Sequence, residues 1–224
     1  MREKSWCVRL IKFMVAATVF YFWYSAYSLV ENTLNPLKFN KASIYFSAHL
    51  SGLLLLVVSF YICRYLMPSP IPIKLGKIFN KNSCLFLLSI FIISLSFHFC
   101  NLLLGTPYEE ATKSQLQTPW PHIIFVIIQM LVLAPIGEEI LFRGYLAGAF
   151  PLEKKWGVAI SMTFTAVLFS RMHYEYQNLL TFIEIIVMGV VIFWARISSG
   201  GLGLPIFLHS LANVLAIVQY SLLT

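Results

Sequence analysis

At 224 residues, 59% of them hydrophobic and 11% charged, with a mean hydropathy of +0.79, the chain lacks the polar surface of a soluble globule and must use lipid as its solvent. Its formal charge of +7 then reports Lys and Arg in membrane-flanking loops rather than a nucleic-acid surface, and secreted and disordered classes are excluded as well. All nine acidic residues are Glu, which removes every mechanism built on an Asp pair or an Asp-bearing triad.

Arg2, Lys4, Arg9 and Lys12 precede the first apolar run, near 11–30. That run is long and no convincing cleavage site follows it, so it reads as an uncleaved first span rather than a signal peptide. Further apolar stretches lie near 44–66, 83–104, 121–149, 156–174, 179–197 and 205–223. Each is long enough for a hydrocarbon core of ~30 Å, which takes about 20 helical residues. They are separated by Asn35-Pro36, the Pro68 to Pro72 cluster, Thr106-Pro107 with Pro119 and Pro121, Pro151, and the stretch from Ser198 to Pro205. The alternation that a membrane barrel requires is absent. The predicted fold is therefore all-α: a polytopic bundle of about seven transmembrane helices, with helices one to three in residues 1–104 and a core of helices four to seven in 121–224. Cys7, Cys63, Cys84 and Cys100 show no C-x-x-C spacing and read as packing residues.

Basic residues divide unequally between the two faces. With the N-terminus inside, one face collects Arg2, Lys4, Arg9, Lys12, Arg64, Lys74, Lys77, Lys81, Arg143, Lys154, Lys155 and Arg196, and the other only Lys38, Lys41, Lys113 and Arg171. Eleven against four remain when Arg143, within a span, is set aside, so the N-terminus is predicted to be cytoplasmic.

An ionisable residue inside a span costs at least ~2.5–3.5 kcal/mol and needs a partner, a wet cavity or a function. The fourth span carries Glu138, Glu139 and Arg143. Glu139 and Arg143 stand four apart on one helical face and can pair. Glu138 is rotated by about 100° and has Phe142 four residues on, which leaves it as the carboxylate available for chemistry. Pro135 and Gly137 weaken the helix just upstream. Phe169 and His173 share a face of the fifth span, and His209 and Asn213 a face of the last. One free glutamate, two imidazoles and an amide make a set able to activate water and stabilise an oxyanion. Glu184 in the sixth span has no cation at helical spacing, and its use in shaping the cavity or contacting substrate stays open beside a packing role. His49, His98 and His122 lie away from these groups and read as structural.

Glu138-Glu139-x-x-x-Arg143, Phe169-x-x-x-His173 and His209-x-x-x-Asn213, in that order on three spans, resemble the CAAX-protease and bacteriocin-processing family of intramembrane endopeptidases, also called Abi. The resemblance covers about residues 121–220. It implies that Glu138 is the general base and His173 its partner on the attacking water. It further implies that His209 and Asn213 stabilise the oxyanion, while Glu139, Arg143 and Phe169 give support. No metal is expected, because no H-E-x-x-H is present; zinc held by Glu138, His173 and His209 is the alternative.

The expected activity is endopeptidase cleavage of a small peptide precursor or membrane-associated protein near the cytoplasmic face. The alternative is a non-catalytic scaffold or bacteriocin self-immunity protein. The expected partners are a peptide or protein substrate and the bilayer, with no nucleic acid, and the expected location is a bacterial plasma membrane. Helix rise places Glu138, His209 and Asn213 roughly 16, 6 and 12 Å from the cytoplasmic ends of their spans but His173 roughly 26 Å away, so the fifth span is where the geometry is under most tension.

Overall fold

The computed structural model describes residues 6–67, 71, 73–107 and 109–223; Arg2, Lys4 and most of the Pro68 to Pro72 break lie outside them. The described residues form helices and no strand, as the apolar runs predict. In chain order these are α1 (Trp6–Leu34), α2 (Lys41–Leu66), α3 (Ser83–Leu104), a short α4 (Glu110–Leu116), α5 (Ile123–Leu146), α6 (Lys155–Met172), α7 (Leu179–Ser199) and α8 (Gly203–Leu223). Asn40 starts α2 by accepting the Ala42 N–H at 2.8 Å, and Gly105 and Gly200, at φ 61° and 67°, close α3 and α7 in the left-handed region.

Among the described residues six helices are long and apolar enough to cross a bilayer: α1, α2, α3, α5, α7 and α8. The fifth predicted span forms as α6, yet its 18 residues fall short on hydropathy. Most of the shortfall comes from Lys155 and Arg171 at its ends, and its inward face adds hydroxyls. Ser161, Thr165 and Ser170 are buried, and their hydroxyls donate to the carbonyls of Ala147, Ser161 and Phe182. These polar groups pair inside the bundle instead of meeting lipid.

Half of the α5 span is buried against 17% for each of α1, α2 and α3, so α5 is the central helix. One apolar cluster joins Ala16, Val19 and Trp23 of α1 and Leu56 of α2 to Leu141, Phe142 and Tyr145 of α5 and Phe169 of α6. A second joins Ile90 of α3, Met188, Ile192 and Ala195 of α7, and Leu204 and Leu208 of α8. Outward faces carry exposed Leu10, Phe22, Leu54, Leu95 and Trp194, as a lipid-solvated surface requires.

At the basic face, Arg9 pairs with Glu153. The α2–α3 connection runs along the α7–α8 connection through Leu202 N–H to Lys74 O (2.9 Å), Gly203 N–H to Leu75 O (2.7 Å) and Lys77 N–H to Ser199 O (3.1 Å). A Cβ on Gly201 would overlap the backbone at Leu75 and Gly76, which is why that crossing requires glycine. The N-terminal end of α1 and the even-numbered connections between spans thus share one face, in agreement with the alternation used to count basic residues.

Candidate active site

The site is built on an irregular α5. Its residues Gln129–Leu133 and Ile140–Leu146 form π-helical turns on either side of a short α-helical piece, Ala134–Glu139. In the first π turn the Ala134 N–H bonds to Gln129 O. Pro135 has no N–H, so it supplies no donor to Leu131 O, four residues back, or to Met130 O, five back. Helix α8 supplies both: Ser210 Oγ donates to Leu131 O at 2.9 Å, and Asn213 Nδ2 donates to Met130 O at 2.7 Å. Asn213→Ala is therefore expected to destabilise the fold by about 1–3 kcal/mol, the cost of an unsatisfied buried carbonyl, whatever else it does. Thermal melting in detergent checks this, and an unchanged midpoint would contradict it.

Glu139 and Arg143 are both completely buried and pair at 2.9 Å between Oε1 and Nη1, as their spacing predicts. The guanidinium also donates from Nη2 to Gly189 O at 3.3 Å and lies 4.7 Å from the centre of the Phe169 ring. Gly189 makes the approach feasible, since a Cβ there would press on Arg143 Nη2 and Ala166. The same Glu139 oxygen receives His209 Nδ1 at 2.9 Å. Both partners use Oε1, and Glu139 Oε2 is buried without a hydrogen-bond partner among the described residues.

Glu138 points the other way, into a cavity of about 270 Å³ that also receives His49, His173, His209 and Asn213. Its Oε1 lies 3.8 Å from His49 Nε2 and its Oε2 lies 3.7 Å from His209 Nε2. Oε2 accepts no hydrogen bond from the described residues. Both separations are too long for direct hydrogen bonds.

The three imidazoles are held alike. Nδ1 lies 2.9 Å from Tyr45 O in His49, 2.9 Å from Phe169 O in His173 and 2.9 Å from Glu139 Oε1 in His209. Carbonyls and carboxylates only accept, so Nδ1 donates in each case, and a neutral ring presents a lone pair at Nε2. Phe169 lies between two of the rings, with its centroid 4.7 Å from that of His173 and 5.5 Å from that of His209.

His173 stands at the end of α6 far from Lys155. It is not inside a helix but caps α6, at φ −92° and ψ 47°, at the head of the connection 173–178. That connection is held by Glu109, whose carboxylate accepts the Gln177 and Asn178 N–H groups at 2.9 and 3.0 Å, and by stacking of His173 on Tyr176 at 5.7 Å. In the connection, burial raises the Glu175 carboxyl and the Tyr176 phenol above their ordinary ranges.

All four residues predicted to act, Glu138, His173, His209 and Asn213, thus line one cavity, with Phe169 on its wall and Glu139 and Arg143 behind it. His49, read from the sequence as structural, belongs to the cavity too. Its only signal was being a histidine within an apolar span. Glu184 and His98 line a second cavity. Among the described residues no three His, Cys or Glu side chains gather at metal-ligand spacing.

The first cavity is also lined by Glu31 and Tyr45 near the α1–α2 connection, Ala111 and Gln115 of α4, and Tyr174 and Glu175 after α6. These are the connections opposite the basic face. The basic loops and these lining residues lie toward different ends of the bundle.

Residues 120–215 match the family model described as type II CAAX prenyl endopeptidase Rce1-like. An Escherichia coli protein described as an uncharacterized 24.3 kDa protein is 30% identical over 179 residues, covering 80% of this chain and 81% of that one. No solved structure matches. The matched segment contains Glu138, Glu139, Arg143, Phe169, His173, His209 and Asn213, and leaves out His49. By these matches the chain, a multi-pass helical membrane protein, belongs to the Rce1-like family of type II CAAX prenyl endopeptidases.

Proposed function

We propose that this protein is a metal-independent, glutamate-type intramembrane endopeptidase. The observation that carries the reading is the contrast between two adjacent carboxylates: Glu139, wholly buried and off the cavity wall, bonds Arg143 and His209 directly through Oε1, while Glu138 stands in the cavity with imidazole Nε2 atoms only at 3.7 and 3.8 Å. A water between Glu138 and the His173 Nε2 lone pair attacks the peptide carbonyl carbon and gives its proton to Glu138. The tetrahedral oxygen is held by the second Asn213 N–H and, in the imidazolium form of His209, by its Nε2–H. Collapse breaks the C–N bond, and the proton on Glu138 passes to the leaving amine.

Substrate enters from the face opposite the basic loops, which is the extracytoplasmic side of a plasma membrane if the excess of Lys and Arg lies inside. Labelling tests this. In a background with the four cysteines replaced, Glu110→Cys is expected to react with an impermeant maleimide on intact cells, and Lys77→Cys only after permeabilisation. The reverse pattern would put the entry side in the cytoplasm.

The substrate is a small peptide precursor or the tail of a membrane-associated protein. Membrane proteomics of cells carrying native protein or Glu138→Gln is expected to show a precursor that accumulates only in the variant. A variant with full biological activity and no accumulating precursor would favour a binding scaffold on the same fold.

A further inference from the structure

Helices α3, α7 and α8 enclose a second cavity, of about 180 Å³, which shares Phe169, His173, Tyr176, His209 and Asn213 with the first. It abuts the residues placed around the scissile bond without containing Glu138. Glu184, near the N-terminal end of α7, lines it and has no hydrogen bond or ion pair with any described residue. Across from it on α3, Asn101 Oδ1 is buried without a hydrogen-bond partner. Gln219 of α8 spends its Nε2 on Ser94, at 3.2 Å from the carbonyl and 2.8 Å from the hydroxyl, which leaves its Oε1 as an acceptor. The other carboxylate of the wall, Glu109, is already held by two backbone N–H groups.

Beside the His98, His173 and His209 imidazoles and several hydroxyls, this cavity holds acceptors with no Lys or Arg to meet them. It offers a carboxylate and amide oxygens, and neither cavity has a Lys or Arg among its lining residues. A carboxylate kept inside a span without a counter-ion is costly, and a donor-rich cation supplies what these acceptors lack. The first cavity adds the same sign, through Glu31 and Glu175.

We propose that the second cavity is a specificity pocket for a Lys or Arg side chain next to the scissile bond of the substrate, with Glu184 as its counter-ion and Asn101 Oδ1 as a second acceptor. The proposal rests on the peptidase reading for its position beside the cleaved bond, but the pocket's preference for a cation can be read without hydrolysis.

The test measures fluorescence anisotropy of a labelled alanine-rich peptide with one central Lys, and of its twin with norleucine there, on Glu138→Gln protein in amine-free maltoside micelles. Lys is expected to bind about tenfold more tightly than norleucine. Adding Glu184→Gln should reduce that preference to about twofold or less, and Glu184→Lys should shift it toward a peptide with a central Glu. Asn101→Leu, on the opposite wall, should weaken the preference independently, and serves if the Glu184 variants fail to fold. A Lys preference that survives Glu184→Gln, or no preference in the parent protein, would overturn the pocket. So would displacement of the Lys peptide by phosphatidylethanolamine, which would make a lipid amine the occupant. Hydrolysis of both peptides by native protein is followed in parallel. A Glu184-dependent Lys preference without hydrolysis would overturn the peptidase reading and leave the cation pocket standing, whereas hydrolysis indifferent to Lys would do the opposite.

Discussion

Arg143→Leu is expected to destabilise the protein by about 3–5 kcal/mol, because it strands a carboxylate that has no route to water. Arg143 and Glu139 are wholly buried, their 2.9 Å bond sits in the central helix, and the guanidinium also holds Gly189 O and the face of Phe169. Removing the cation alone leaves Glu139 charged against His209 only. Removing both charges, as in Glu139→Met with Arg143→Met, should recover most of the lost stability, since a buried pair replaced by apolar groups of similar volume is often neutral. The double variant should still be inactive, because nothing then holds His209 Nδ1. Thermal melting in detergent and size-exclusion behaviour separate these outcomes. An Arg143→Leu protein that melts like the parent would show that the pair carries no structural weight.

Glu138→Gln has the opposite signature. The substitution keeps shape and polarity in a cavity, so the melting temperature should move little, while loss of the base should lower kcat/KM by about 10²–10⁴. Glu139→Gln, one residue on, should lower stability first and activity as a consequence. Two neighbouring carboxylates on one helix are thus expected to divide into a chemical and a structural role, and comparing melting with turnover in the two variants reads that division.

The division was legible in the sequence because it follows from helical rotation: position 139 faces 143, and position 138 does not. The order of polar motifs along the spans was equally legible, since an intramembrane charge or imidazole stands out against Leu, Ile and Phe. What was hidden came from tertiary packing. His49 enters the site on α2, and no local pattern links Tyr45 and His49 to a glutamate almost ninety residues away. Asn213 was legible as a polar residue facing inward, but not as the partner of Met130 O. That contact exists because a π turn and Pro135 together leave a carbonyl without a donor.

The fifth span was legible as a helix, 156–174 against Lys155–Met172, but its inward hydroxyls and its end were not. Hydropathy cannot tell hydroxyls that pair inside a bundle from hydroxyls facing lipid, and helix rise alone cannot show that His173 caps α6 instead of continuing it. The side of access required the lining of the cavity. Basic residues orient the chain, but only the gathering of Glu31, Tyr45, Gln115 and Glu175 along one cavity shows which connections lie nearest the site.

The measurement closest to the central claim follows a precursor identified by membrane proteomics through cleavage by purified protein in H₂¹⁸O with a strong metal chelator present. The account predicts that native protein releases a fragment whose new C-terminal carboxylate carries ¹⁸O, at a rate the chelator does not change, and that Glu138→Gln, folded and equally stable, releases almost none. Undiminished cleavage by Glu138→Gln, or activity that the chelator abolishes and zinc restores, would contradict it.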